Sequence, residues 1–128
     1  MMFEVGLFFS LSVGVGFALG GLAMLVFPPK RVNPFYGYRT SRSCKNRRNW
    51  DFAQRHCARM MIGTGIGSAV VGGLAFVVFV LVGFRDATLC WACVALELGL
   101  AVSILSLTVL STENALKRLE AQDADTRN

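Results

Sequence analysis

Apolar positions along this chain fall into three blocks. Residues 5–27 and 60–84 carry no charged side chain, and residues 87–110 carry one, Glu97. A soluble domain of this length interrupts its apolar runs with charge. A bilayer core ~30 Å thick is crossed by ~20 helical residues, so each block is long enough to span. Inside lipid the backbone must satisfy its own hydrogen bonds, which makes helix the expected form of all three. The pattern therefore predicts an all-α integral membrane protein. Three transmembrane helices, at about 5–27, 60–84 and 87–110, pack as a small bundle in a single membrane domain. A structured basic loop, 28–59, and a polar tail, 111–128, complete it.

Composition agrees. Of 128 residues, 54% are hydrophobic and only 16% charged, with a mean hydropathy of +0.52. The first block is read as a retained span. Residues 1–4 contain no Lys or Arg, the block exceeds a typical signal-peptide core, and no clear small-x-small cleavage site precedes Pro28. Charge then sets orientation. Nine of the thirteen basic residues lie in the 28–59 loop against one acid, Asp51, whereas the second connection holds only Arg85 and Asp86. Lys and Arg stay on the cytoplasmic side, so the loop and the C-terminus are expected inside and the N-terminus outside. The net charge of +5 is thus a topology signal and not a nucleic-acid footprint. The partners it implies are the bilayer and its anionic lipids, each nearby basic residue gaining about 1 kcal/mol there.

Small residues recur at steps of four: Gly16 and Gly20, Gly63 and Gly67, Ala95 and Gly99. Such steps let helices approach closely in lipid, either within one bundle or between copies. Pro28-Pro29 should stop the first helix. Asn33-Pro34 and Gly37 should keep the next segment turned. Helix is expected to resume near 43–46, where Ser and Asn can cap it. From there an amphipathic lead-in runs to the second span, with Trp50 expected among the headgroups.

Lipid attraction alone does not require the particular residues of the loop. "NPFYGYRT", followed by S-x-x-N-x-x-x-W-x-x-A, resembles the SdpI family of small membrane proteins, named for a bacterial toxin-immunity protein. The matching positions are Asn33, Tyr36, Gly37, Arg39, Thr40, Asn46, Trp50 and Ala53. Ser41, Gln54 and Ala58 stand where the family often has Pro, Asn and Gly. The resemblance implies a multi-pass protein of the bacterial inner membrane, concerned with immunity to or sensing of a membrane-active peptide. Its partners would be a toxin peptide or a cytoplasmic regulator in signal transduction. Physically, Arg39 is a planar cation suited to a carboxylate, a phosphate or free carbonyls. Asn33, Thr40 and Asn46 can satisfy turn backbone, Gly37 permits positive φ, and Tyr36 and Tyr38 can anchor at the interface. The set reads either as a stapled turn beneath the bundle or as a pocket for a lipid phosphate, a peptide or a partner protein.

Glu97 is the other outlier. A charge at midplane costs ~2.5–3.5 kcal/mol on insertion scales, so this carboxyl is expected to be protonated or partnered, by hydroxyls such as Ser10, Ser12, Thr64, Ser68 or Ser103 or by a backbone carbonyl. It is read as interhelical glue or as a proton-responsive site. Cys44, Cys57, Cys90 and Cys93 read as packing residues, with Cys57 a lipid-adjacent candidate for acylation. One C-x-x-C is a weak metal signal, so no metal and no cofactor are expected. His56 reads as an ordinary unpaired surface side chain, and no enzyme motif is visible. Two other functions compete with immunity. One is an accessory subunit packing on a larger membrane complex or on copies of itself, and the other is a small proton-responsive transporter component.

Overall fold

A computed structural model describes residues 2–83 and 86–126. It contains α1 (Met2–Val26), α2 (Arg47–Val82) and α3 (Asp86–Asp125). Each is long and apolar enough to cross a membrane, and they form a three-helix membrane bundle. With 36 and 40 residues, α2 and α3 are about 54 and 60 Å long, far more than the ~30 Å of a hydrocarbon core. Their apolar stretches are long enough to span it. Their polar turns, 47–59 of α2 and 111–125 of α3, continue past it at one end, where the loop after α1 also lies. This end is called the head below. Arg85 and Arg127, counted above for orientation, lie outside the described residues.

The helix ends follow from local chemistry. The Phe27 N–H still bonds to the Ala23 carbonyl at 2.8 Å, after which Pro28 and Pro29 cannot continue the ladder. Asn46 caps α2 by accepting from the Asn49 N–H at 2.8 Å. Gly83, at φ 99°, closes it with its N–H on the carbonyls of Phe79 and Val80. Helix resumes where expected, after the Asn46 cap, and the amphipathic lead-in forms the first turns of α2, continuous with the second span, so the irregular connection is 27–46. The tail is helical as far as Asp125 because α3 has a partner surface there.

Packing at the centre runs through glycines, though not the ones expected. A Cβ on Gly14 would lie 2.4 Å from the Ala69 nitrogen, and one on Gly65 would lie 2.6 Å from the Ala18 nitrogen. On Gly72 it would lie 1.9 Å from the Ser10 carbonyl oxygen, and on Gly21 2.6 Å from that of Ala58. The backbones of α1 and α2 therefore meet along Gly14 and Gly21 on one side and Gly65 and Gly72 on the other, steps of seven. Gly16, Gly63, Gly67 and Gly99 face open space. Spacing of four recurs on several faces of a glycine-rich helix, and only the bundle selects one.

Two apolar clusters flank the glycine seam. Phe76, Leu89 and Cys93 pack near the α2–α3 connection, and Met24, Cys57 and Ala58 pack toward the head. Trp50 is fully buried and does not sit among headgroups; the exposed tryptophan is Trp91, 72% accessible. Phe8, Leu74, Leu81 and Val102 are all more than half exposed, as side chains facing lipid should be.

Candidate functional site

The head is built around the loop. Asn33 makes an Asx turn: its Oδ1 accepts the N–H groups of Phe35 and Tyr36 at 3.0 and 2.8 Å, and its Nδ2 donates to the Arg31 carbonyl at 3.0 Å. Arg39 reaches back and donates from Nη1 to the Pro34 carbonyl at 2.7 Å, so its fork holds a loop carbonyl. Gly37 has φ 112°, and a Cβ there would lie 2.6 Å from Gln54 Oε1. That close approach lets Gln54 clasp the next residue. It accepts the Tyr38 N–H at 2.6 Å and donates to the Tyr38 carbonyl at 2.8 Å. Ser43, fully buried, accepts the Thr40 N–H at 2.8 Å. Trp50 donates to the Pro29 carbonyl at 2.8 Å and pins the loop's start beneath α1.

Two glutamates of α3, Glu113 and Glu120, form the other half of this site. Glu113 Oε1 accepts from Thr40 Oγ1 at 2.6 Å and from the Tyr38 hydroxyl at 3.1 Å, and its Oε2 lies 3.4 Å from Arg42 Nε. Glu120 accepts from Asn49 at 3.0 Å, from Lys45 at 3.2 Å and from Arg42. Arg42 thus bridges two carboxylates seven residues apart on α3. It is not a freely exposed anchor; in its place Arg39 is the more exposed of the two. Sequence reasoning missed Glu113, Glu120, Ser43, Asn49 and Gln54 as parts of the site. The signal was available in part, since a spacing of seven puts both glutamates on one helix face opposite a basic loop.

Electrostatics follow from these contacts. Burial, and then the hydrogen bond and charge of Glu113, push the Tyr38 phenol above its ordinary range, so it remains a donor. Loss of water raises Glu120, but bonds from Asn49, Lys45 and Arg42 outweigh it and hold the carboxyl below the usual value. His56, in the turns of α2 outside the membrane, is lowered by burial and then by Arg59. It is not unpaired: Nε2 lies 3.1 Å from Ser111 Oγ, and its ring stacks on Phe52 at 5.7 Å.

Deeper in the bundle, Glu97 is 3% exposed and faces the other helices. The would-be Cβ of Gly72 lies 2.5 Å from its Oε1, so only glycine leaves it room. Neither carboxyl oxygen has a hydrogen-bond partner among the described residues. The hydroxyls expected to serve it bond to their own helices instead: Ser10 to the Leu7 carbonyl, Ser12 to Phe9, Thr64 to Met60 and Ser103 to Gly99. Ser68 is buried without a partner. All four cysteines are free thiols, and Cys57 is buried in the bundle, not turned to lipid. Among the described residues no cluster of three His, Cys, Asp or Glu side chains is suited to a metal ion.

The family model of the SdpI/YfhL proteins matches residues 30–111, which include the loop, α2 and the spanning part of α3; Glu113 and Glu120 lie just beyond. Over 54 residues the chain is 43% identical to the uncharacterized protein YfhL of Bacillus subtilis (strain 168), a match covering 42% of this chain and 49% of that protein. The chain therefore spans about half the length of that curated relative. No solved structure matches it.

Proposed function

Because the chain belongs to the SdpI/YfhL protein family, we propose that it gives a bacterial cell immunity to a membrane-active peptide by sensing it in the bilayer, with the head in the cytoplasm. The observation that carries this reading is the continuity of α3. One helix bears Glu97 inside the bundle and Glu113 and Glu120 in the head. A peptide that enters the bilayer and disturbs the α1–α2 seam at Gly72 shifts α3. That shift reaches the loop through the bonds of Tyr38, Thr40 and Arg42 to the two glutamates, and alters the surface offered to a cytoplasmic regulator. The cytoplasmic placement of the head is supported by the nine basic residues that flank it.

The test is survival of bacteria expressing the protein when challenged with a pore-forming peptide. The chain should protect, and a Glu113→Gln, Glu120→Gln double variant should reach the membrane in equal amount yet protect at least tenfold less. Equal protection by that variant would remove the coupling mechanism, and no protection by the parent would remove the immunity reading.

A further inference from the structure

On the outer side of the head, α2 and α3 form a basic groove that the clasp does not use. Two adjoining hollows share Phe52, His56 and Leu119 as a common wall, and the larger has a volume of about 790 Å³. Arg47 is occupied by Asp51 at 2.9 Å, and Arg48 by Asp123. Arg55 and Arg59 on α2, and Arg118 on α3, line the groove with no carboxylate partner among the described residues. Glu113 and Glu120 are taken by the loop. Arg55 and Arg59 therefore line the larger open hollow and Arg118 the smaller, on either side of the wall made by Phe52, His56 and Leu119.

The depth of these side chains identifies the ligand class. Arg59 and Arg55 precede the charge-free stretch of α2 by one and five residues, which places them within about 8 Å of its start at 1.5 Å per residue. The headgroup layer of a bilayer leaflet is ~5–8 Å thick. A second feature continues the site into the membrane. Gly63 and Gly67 follow Arg55 and Arg59 at steps of four, hence on one side of the helix, and both are exposed with nothing within 4 Å of a would-be Cβ. Exposed Ile66 and Val70 rise beside them. The result is a shallow apolar furrow leading up from the arginines.

We propose that this groove binds an anionic phospholipid, its phosphodiester held by Arg55 and Arg59 and one acyl chain lying along Gly63 and Gly67. Guanidinium groups grip phosphate oxygens with paired, charge-assisted bonds, and the furrow gives a straight chain a surface without protruding side chains. The site stands on groove geometry and charge, and holds whether or not the immunity reading does.

The full chain is reconstituted in nanodiscs of phosphatidylcholine containing a minority of phosphatidylglycerol, and lipids retained on release are counted by native mass spectrometry. The parent should retain phosphatidylglycerol selectively. An Arg55→Gln, Arg59→Gln double variant should lose about tenfold or more of that selectivity, whereas Lys30→Gln, Arg31→Gln, which removes equal charge from the exposed loop, should keep it. Gly67→Leu fills the furrow without changing charge and should also lower retention. Helical content by circular dichroism checks that each variant is folded; if the arginine double is not, Gly67→Leu decides alone. Equal losses from the two charge doubles overturn the site in favour of diffuse attraction. Inorganic phosphate shifting the His56 ring signals in detergent as strongly as phosphatidylglycerol does would assign the groove to free phosphate. A co-purifying protein in place of lipid would assign it to an acidic partner; either result overturns the proposal.

Discussion

Gln54 supplies two bonds to the half-buried Tyr38 backbone, and its Oε1 is the acceptor of the Tyr38 N–H. Gln54→Leu leaves that N–H unsatisfied, the carbonyl keeping its bond from Ser43 Oγ at 3.1 Å, and should cost about 1–3 kcal/mol of stability, read as a lower thermal midpoint in detergent. An unchanged midpoint would mean that the loop is held by other contacts. The arginines separate in a similar way. Arg42 bridges Glu113 and Glu120, whereas Arg39 serves one carbonyl, so Arg42→Lys should speed tryptic cleavage of the loop more than Arg39→Lys, because an ammonium cannot span both carboxylates. The reverse order would make Arg39 the keystone. Acid should loosen the head in two stages. His56 is held below its ordinary value of 6.5, so as pH falls the unfolded chain takes up that proton first and stability declines from about pH 6.5 downward. Glu120 is held below the carboxylate range, so its contribution is present above that range and lost as pH falls through its folded value. His56→Gln should abolish the first stage and leave the second, as followed by thermal midpoints across pH in neutral detergent.

At the scale of the helix, the apolar blocks were legible because spanning length is a local property of composition. The contact faces were not. Gly16, Gly20, Gly63 and Gly67 satisfy the small-residue pattern, yet Gly14, Gly21, Gly65 and Gly72 make the crossing. Gly72→Ala should force α1 from α2 against the Ser10 carbonyl and cost about 1–3 kcal/mol. Gly67→Ala meets nothing and should leave stability unchanged or raise it by less than about 1 kcal/mol. Equal effects in detergent unfolding would return the seam to the four-residue steps.

For the molecule as a whole, three helices of unequal reach give a bundle with a head at one end. With the head in the cytoplasm, a membrane-impermeant thiol reagent added outside should label a cysteine at Glu4 and spare Cys44. In opened vesicles it should label Cys44, which is exposed, and still miss buried Cys57. Labelling of Cys44 in intact cells would invert the orientation.

The number of spans, the turn at Asn33, the cap at Asn46 and the positive φ of Gly37 were determined by the sequence alone, because each depends on neighbours within a few residues or on the composition of one block. Tertiary structure decided the rest. Trp50 reads as an interfacial ring until Pro29, twenty-one residues away, is seen to accept its N–H. Glu113 and Glu120 read as tail acids until the loop folds onto them across more than seventy residues. Glu97 reads as a partner of hydroxyls until those hydroxyls are seen bonded to their own helices. Each is a pairing between distant parts of the chain, and such a pairing depends on how the helices are rotated and staggered against one another, which local pattern does not encode.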